Sequence, residues 1–368
     1  MTLINGRAYL QPELLDSGTP VLRIQNLNGG DRWYYSNLTL PENKYCENGD
    51  LLFAWSATFG PYNYSGPKSI YHYHIWKVLP KKNVTDRGYA YYVLMHITQK
   101  VKDEAHGISM LHITKSGMEA LQIPLPPLTT QKRIAAILDA ADLYRQTTKA
   151  LVAKYDQLAQ SLFLEMFGDP VNNQNNWEIK KFSDVGKLDR GKSKHRPRNA
   201  PELLGGKYPL IQTGDVANSE GYITTFKSTY SDFGLKQSKI WKAGTLCITI
   251  AANIAKTGIL TFDACFPDSV VGFIPNARTN AEFVQHWMSF LQKILEDSAP
   301  ESAQKNINLE ILRNLDIIVP PETLQSQFSD RINIILQQKH QALAVLQKSE
   351  TLFNSLLQKA FKGELVAE

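Results

Sequence analysis

Cysteine is scarce in this chain, and it is arranged in no pattern that would give it chemistry. Cys46, Cys247 and Cys265 are the whole supply, with no C-x-x-C pair among them. That excludes a disulfide framework and a cysteine-based zinc site, and reads as buried thiols in a reducing compartment. No apolar run approaches the ~20 residues that a membrane helix needs, so no membrane partner is expected. The opening MTLINGRAYLQ has no apolar signal region, which makes the cytoplasm the expected location. The marks of an enzyme are missing too. No glycine-rich cofactor loop follows a strand, and no N-P-P-Y-like tetrapeptide occurs that could hold a target amino group. PDSVVGF (267–273) starts like a magnesium nuclease motif but lacks the acidic-x-Lys continuation. His72 and His74 in YHYHIW are expected to alternate along a strand, with no Cys or third His nearby to complete a metal site. Neither catalytic residues nor metal ligands are expected.

Residues 186–193, GKLDRGKS, do match the phosphate-loop pattern G-x-x-x-x-G-K-[ST] at every fixed position. The flanks argue against a triphosphate site. Upstream, WEIKKFSDV is short and polar where a buried parallel strand belongs. Downstream, KHRPRNAP carries two prolines where a helix should open. The stretch is instead rich in charge. Between 180 and 198, Lys180, Lys181, Lys187, Arg190, Lys192, Lys194, Arg196 and Arg198 face only Asp184 and Asp189. Such a Gly/Pro loop suits phosphate contact, and equally a solvated charged surface. The whole chain of 368 residues carries 40 basic against 35 acidic side chains, so the distribution says more than the sum.

The strongest signal is internal repetition. At a constant offset of 194, Ile113 meets Ile307, Met118 meets Leu312, Leu121 meets Leu315 and Ile123 meets Ile317. Pro126-Pro127 meets Pro320-Pro321, and Gln131 meets Gln325. The same offset pairs Leu158, Ser161, Leu162 and Phe167 with Leu352, Ser355, Leu356 and Phe361. Upstream, ENGDLLFAWSA (47–57) resembles KAGTLCITIAA (242–252), and TPVLRIQNL (19–27) resembles YPLIQTGDV (208–216). A tandem duplication is the economical reading.

Each copy is expected to be a mixed α/β globule followed by one long helix. Short β-branched and aromatic runs bounded by Gly, Pro, Asn and Asp predict strands at VLRIQNL, DLLFAWSA and HYHIWKV, and at PLIQTGDV, TLCITIA and GILTF. A helix is expected in each copy, near 88–102 and 280–296. The long helices start after the Pro-Pro pairs, where proline is suited. In the first, Ile137, Ala141, Tyr144, Thr148, Leu151, Tyr155, Leu158 and Leu162 recur at spacings of three and four, a heptad seam. In the second the stripe is looser: Phe328, Ile332, Ile335, Ala342, Leu346, Phe353, Leu356 and Ala360. Two unrelated amphipathic helices, each capping its own globule, would give the same stripes. The repeat favours pairing as an antiparallel coiled coil, each helix ~50–60 Å long. The expected boundaries are a first globule over 1–128, a first helix over 129–168, a second globule over 169–321 and a second helix over 322–368.

PLPPLTTQKRIAAIL (124–138), SLLQKAFKGEL (355–365) and its partner SLFLEMFGD (161–169), in this order of blocks, resemble the DNA-specificity subunit of type I restriction–modification enzymes. The resemblance spans essentially the whole chain. It implies a non-catalytic chain with two target-recognition domains, each reading one half of a split sequence in double-stranded DNA. The paired helices set the gap between the halves and dock two copies of a methyltransferase subunit. S-adenosylmethionine belongs to that subunit; ATP and magnesium belong to motor/nuclease subunits, up to two of which complete a restricting complex. No cofactor is expected in this chain itself. One departure stands out: the first domain begins at MTLINGRAY, with nothing to match WEIKKFSDV of the second. Either the chain starts late or the first domain dispenses with that strand.

For base reading, Arg, Asn, Gln and Lys on loops suit the edges of G and A in the major groove. In the first domain these are Asn5, Arg7, Tyr9, Arg23, Gln25, Asn26, Asn28, Arg32 and Trp33. In the second they are Lys194, His195, Arg196, Gln212, Thr213, Asp215, Asn253 and Lys256, with Arg190, Lys192 and Arg198 from the basic stretch. Arg23 aligns with Gln212 and Asn26 with Asp215, so the copies differ where different sequences would require it. The alternative from another class is a protein-interaction adaptor whose basic loops are only solvated surface.

Overall fold

The run Leu51–Ala54 is buried at every position, and so is Leu246–Thr249. Each is the central strand of its own sheet. The computed structural model describes residues 1–104, 114–251, 254–298 and 307–366; the expected pairing of Ile113 lies outside them. Two compact units form, residues 1–148 with 345 onward, and residues 149–344.

Unit 1 contains β1 (Thr2–Asn5), β2 (Thr19–Leu22), α1 (Ile24–Leu27), β3 (Tyr34–Ser36), β4 (Tyr45–Cys46), β5 (Leu51–Ala54), β6 (Gly60–Asn63), β7 (Ser69–Tyr71) and β8 (Ile75–Leu79). One sheet has the order β1-β8-β5-β6, and a second has β3-β2-β7-β4. After them come α2 (Arg87–Glu104), α3 (Lys115–Ala120) and the start of α4 (Leu128–Phe167). Leu3, Leu51, Phe53, Trp76 and Val78 on the first sheet pack on Ala90 and Leu94 of α2 and Met118 of α3.

Unit 2 repeats this plan. It contains β9 (Glu178–Lys181), β10 (Gly186–Arg190), β11 (Leu204–Leu210), α5 (Thr213–Ala217), β12 (Tyr222–Ile223), β13 (Ser228–Tyr230), α6 (Asp232–Lys236) and β14 (Ile240–Trp241). β15 (Leu246–Thr249), β16 (Thr257–Leu260), β17 (Ala264–Cys265), β18 (Val270–Pro275), α7 (Ala281–Ser298), α8 (Leu309–Arg313), β19 (Asp316–Val319) and the start of α9 (Glu322–Lys362), which from residue 345 belongs to unit 1, follow. Its sheets run β10-β18-β15-β16-β12 and β13-β11-β17-β14. The registers agree in detail. Val78 lies between Leu3 and Leu51, and Phe273 lies between Leu188 and Leu246. Unit 2 adds one ribbon, β19 antiparallel to β9.

Two expected strands are shorter than the sequence suggests. VLRIQNL leaves its strand at Leu22 and enters α1, and PLIQTGDV leaves at Leu210 and enters α5. The reason is a side chain three residues on: Asn26 Oδ1 accepts the Arg23 N–H at 3.0 Å, and Asp215 Oδ2 accepts the Gln212 N–H at 2.9 Å. That side-chain cap starts a helical turn where hydrophobicity alone predicts extension. In HYHIWKV, His72, Tyr73 and His74 form the turn between β7 and β8, so the two histidines do not alternate along a strand.

Helices α4 and α9, of 40 and 41 residues, are each about 60 Å long. They pack against each other in antiparallel sense. In unit 1, Ile134 and Leu138 meet Phe353, Leu357 and Ala360. In unit 2, Phe163 and Phe167 meet Phe328 at ring distances of 5.6 and 5.3 Å. Both helix starts are tied down by the repeat's paired glutamines. Gln131 is buried, accepts from Asp86 N–H and donates to the Val84 and Pro126 carbonyls. Gln325, equally buried, accepts from Thr279 and Asn280 and donates to the Arg278 and Pro320 carbonyls.

The seam differs from the expected one on α4. Ile137, Tyr144, Leu151 and Leu158 are exposed, while Ala141, Tyr155 and Leu162 are half-buried. The buried line runs through Ile134, Leu138, Asp142, Thr148, Ala159, Phe163 and Phe167. It is hard to read because it is partly polar: Asp142 is held by Arg145, and the Thr148 hydroxyl by the Tyr144 carbonyl. On α9, Ile335, Ala342, Leu346, Phe353 and Leu356 are buried or half-buried. Lys339 and Ser349 share that line.

Candidate nucleic-acid interface

In each unit, two of the predicted segments meet a turn that is not predicted, at one end of the sheets. Gly6 and Gly191 mark the place. The Gly6 N–H bonds to the Ile75 carbonyl and the Gly191 N–H to the Val270 carbonyl, each at the start of the matching strand. A Cβ on Gly6 would lie 2.2 Å from the His72 carbonyl oxygen, and one on Gly191 would lie 2.3 Å from that of Pro267. Both positions therefore require glycine because one backbone crosses another. This also answers the phosphate-loop match. Residues 186–190 are an antiparallel strand, and the chain beyond Gly191 opens no helix. The second glycine of the motif serves a backbone crossing.

Around that crossing stand the segment after β1 or β10, the turn into α1 or α5, and the turn between β7 and β8 or β17 and β18. The hairpin after the central strand joins them, through Trp55 N–H to the His74 carbonyl and Ile250 N–H to the Ser269 carbonyl. Each hairpin holds an alanine, Ala57 or Ala255, at a φ of 57°. A non-glycine residue keeps that conformation only where its surroundings impose it.

In unit 1 the patch is aromatic and cationic. Arg23 and Arg32 each lie 5.2 Å from the ring of Tyr34. Gln25 donates to the Arg32 carbonyl, and Asn26 donates to the Gly30 and Arg32 carbonyls, so this loop is cross-braced. Asn28 bridges Thr58 and the Tyr62 hydroxyl. Arg7 forms two bonds to Glu13, at 2.8 and 2.6 Å, which raise its pKa, and it lies over Tyr9. The Tyr9 hydroxyl is pushed up by burial. Trp33 packs on the core beside Leu22 and Tyr71. Asn5 closes β1, its carbonyl held by Lys44. His72 sits between Tyr9 and Tyr73, with His74 4.8 Å away. Burial, then His74 and Arg23, lowers its pKa to about 4. The imidazole is thus neutral at pH 7.

In unit 2 the same turn is acidic. Arg190 donates twice to the Asp268 carbonyl, Arg198 pairs with the Asp268 carboxylate at 2.5 Å, and Arg196 lies 3.8 Å from it. Gln237 Oε1 accepts the Lys194 and His195 N–H groups, leaving both lysine heads, Lys192 and Lys194, on an exposed stretch. Arg198, Gln212 and Thr213 line a hollow of about 240 Å³ together with Tyr230, Pro267 and Ser269. The Asp215 carboxylate is committed to its cap. Lys256 is turned away from the patch, its Nζ 3.3 Å from Gln292 on α7. Asn253 lies outside the described residues.

Sequence reasoning overlooks Tyr34 and Asp268, which hold selected arginines, Gln237, which holds the backbone at Lys194 and His195, and Tyr73, which packs on His72. A usable signal exists: HYH (72–74) and PDS (267–269) align at offset 195, continuing the repeat. Among the described residues no group of three or more His, Cys, Asp or Glu could hold a metal. No described helix is long and apolar enough to cross a membrane.

Comparison with known proteins agrees with this architecture. The family model described as "Type I restriction modification DNA specificity domain" matches residues 1–154 and 174–348. The EcoBI type I restriction enzyme specificity subunit of Escherichia coli is 24% identical, across 100% of this chain and 84% of its own length. The EcoKI specificity subunit of Escherichia coli K12 is 21% identical, across 100% and 88%. The crystal structure of a type I restriction–modification S subunit from M. genitalium shares the fold, with a TM-score of 0.59 and 14% identity over 98% of this chain and 93% of that one.

Proposed function

Because the chain belongs to the type I restriction modification DNA specificity family, we propose that it is the sequence-reading, non-catalytic subunit of a type I restriction–modification complex. Each unit reads one half of a split DNA target. The observation that supports this reading is the patch built twice on one backbone frame with different side chains. Lys192 and Lys194, with exposed heads, suit phosphates, which position the protein without reading sequence. Gln212, Thr213 and Arg198 around their hollow, and Arg23 and Arg32 braced on Tyr34, suit base edges.

In this reading methyl transfer to adenine, with its S-adenosylmethionine, belongs to two methyltransferase subunits. ATP-driven translocation and magnesium-dependent cleavage belong to motor subunits where these are present. The exposed leucines of α4, Leu143 in unit 1 and Leu151 and Leu158 in unit 2, are candidate contacts for the methyltransferase. The complex works in the cytoplasm, and the paired helices set the gap between half-sites.

Long-read mapping of methyladenine in cells with and without this gene, with the methyltransferase subunit supplied in trans, tests the function. The expected result is one split motif that depends on the gene. Unchanged methylation despite the partner would favour a plain interaction adaptor. Inserting a heptad in both helices, near Tyr144 and Ala342, should lengthen the gap and leave both half-sites as they were. Altered half-sites would overturn the ruler.

A further inference from the structure

The backbone crossing at Gly191 explains the second glycine of the phosphate-loop match but gives no role to its serine, Ser193. The Lys192 N–H bonds to the Phe266 carbonyl at 3.1 Å, and the Ser238 hydroxyl donates to the Lys192 carbonyl at 2.9 Å. The chain is thereby held against the turn between β17 and β18, and the next side chain, Ser193, is only 5% exposed. Among the described residues its hydroxyl has no hydrogen-bond partner. A buried hydroxyl without one is unusual, because nothing offsets its lost hydration.

Ser193 borders the hollow of about 240 Å³ in the patch of unit 2. A single water needs only about 10–15 Å³, so the hollow is far larger than the solvation of one hydroxyl requires. Its buried members, Leu210, Tyr230 and Ser193, form the floor, apolar except for that hydroxyl. Its exposed members, Arg198, Asn199 and Gln212, surround the mouth, and Asp268 holds Arg198 there. Lys192 and Lys194 stand exposed on the adjoining chain. An apolar floor with one polar group, amides and a guanidinium at the mouth and cations outside fit a nucleobase whose phosphates stay outside. Unit 1 is built otherwise. Counting from the crossing glycine, Ala8 stands in place of Ser193; it is exposed and has no polar group. Tyr9 follows it, and its ring stacks on His72, the counterpart of Pro267.

Resting on the function proposed above, we propose that unit 2 draws one base of its half-site out of the duplex into this hollow, while unit 1 reads its half-site with the bases stacked. The Ser193 hydroxyl, with Asn199 and Gln212, then meets the edge that the base frees from its pair, and the two lysines hold the neighbouring phosphates. This base is distinct from the adenine that a methyltransferase must itself extrude, because that adenine has to enter the methyltransferase's own site.

Extrusion is easiest for a base that is already mispaired. The test therefore titrates the full chain, with its methyltransferase subunit, with duplexes of the mapped split motif that each carry one mispair in either half-site. Besides the methylated adenines, one further position should bind at least about threefold tighter than the paired duplex. Thr213→Trp, which fills the hollow from its edge, should abolish the gain at that position and keep it at the adenines. Gains confined to the methylated adenines would overturn the proposal, as would a further gain that Thr213→Trp leaves in place. Should Thr213→Trp misfold, the scan on the unaltered chain still decides. If the unaltered chain bound no split motif at all, the function proposed above would fall, and this inference with it.

Discussion

The turn between the two sheets is His72-Tyr73-His74 in one unit and Pro267-Asp268-Ser269 in the other. Around it the backbone repeats the same crossing glycine, capped turn and alanine in the left-handed region. What changes is how arginines are held. Unit 1 braces Arg23 and Arg32 on an aromatic ring, and unit 2 gathers Arg196 and Arg198 on a carboxylate. A frame fixed by backbone requirements leaves the side chains of the patch free to differ. That is what two readers of different sequences need.

The frame itself should be the costliest part to damage, and equally so in both units. Gln131→Leu leaves three backbone groups without their partner, and Gln325→Leu does the same. Each should cost about 3 kcal/mol in denaturant unfolding. A much smaller loss in one unit would mean that the two helix starts are not equivalent after all.

The patches should instead respond one at a time. Gln212→Ala should relax base preference in one half-site by about 1–3 kcal/mol and leave the other half-site unchanged. Arg23→Ala should do the converse. Methylation of a randomised target library reads both, and a change in the wrong half would break the assignment of one patch to one half-site.

Phosphate contacts should divide the units differently. Lys192→Ala should reduce the slope of log affinity against log salt by about one, uniformly across sequences. Its counterpart Arg7 already spends its charge on Glu13, so Arg7→Ala should move the slope little. Equal slopes for the two variants would show that the Arg7–Glu13 pair opens on DNA.

Much of this organisation is legible in the amino-acid sequence. Glutamines and proline pairs at one offset survive duplication because each has a fixed backbone partner, and strands such as Leu51–Ala54 announce themselves by being apolar throughout. The α4 seam is deceptive because its buried line contains Asp142, Thr148 and Ala159, while Tyr144, Leu151 and Leu158 stay outside. Hydrophobic period marks a stripe, and here the more apolar stripe is not the one that α9 covers. The patch is half legible. Residue type identifies Arg23, Gln212 and Lys194, but nothing in residue type says that Asn26 and Asp215 turn inward as caps. Nor does it say that Asp268 organises the arginines, because that follows from a crossing of strands far apart in sequence.

The smallest expected effect is a difference in pH response between the patches. His72 is held neutral, its pKa lowered to about 4 by burial and by the neighbouring His74 and Arg23. A histidine whose pKa falls on folding contributes stability that is complete above its ordinary value of about 6.5 and is lost as pH drops from there toward 4. The turn in unit 2 has Pro267 at that place and should show no such loss, although His286, whose pKa is lowered by desolvation, acts with the same sign elsewhere in that unit. His72→Asn should therefore flatten part of the acid response of unit 1 only. His96, whose pKa is also lowered by burial, and Glu13, whose pKa is lowered by its bonds to Arg7, add to the remainder. The imidazole resonance of His72 gives the direct measurement. Titration near 6.5 would mean that the aromatic turn is open to water. Titration near 4 would establish that the two units fix the same backbone turn by opposite means, one by excluding charge and the other by pairing it.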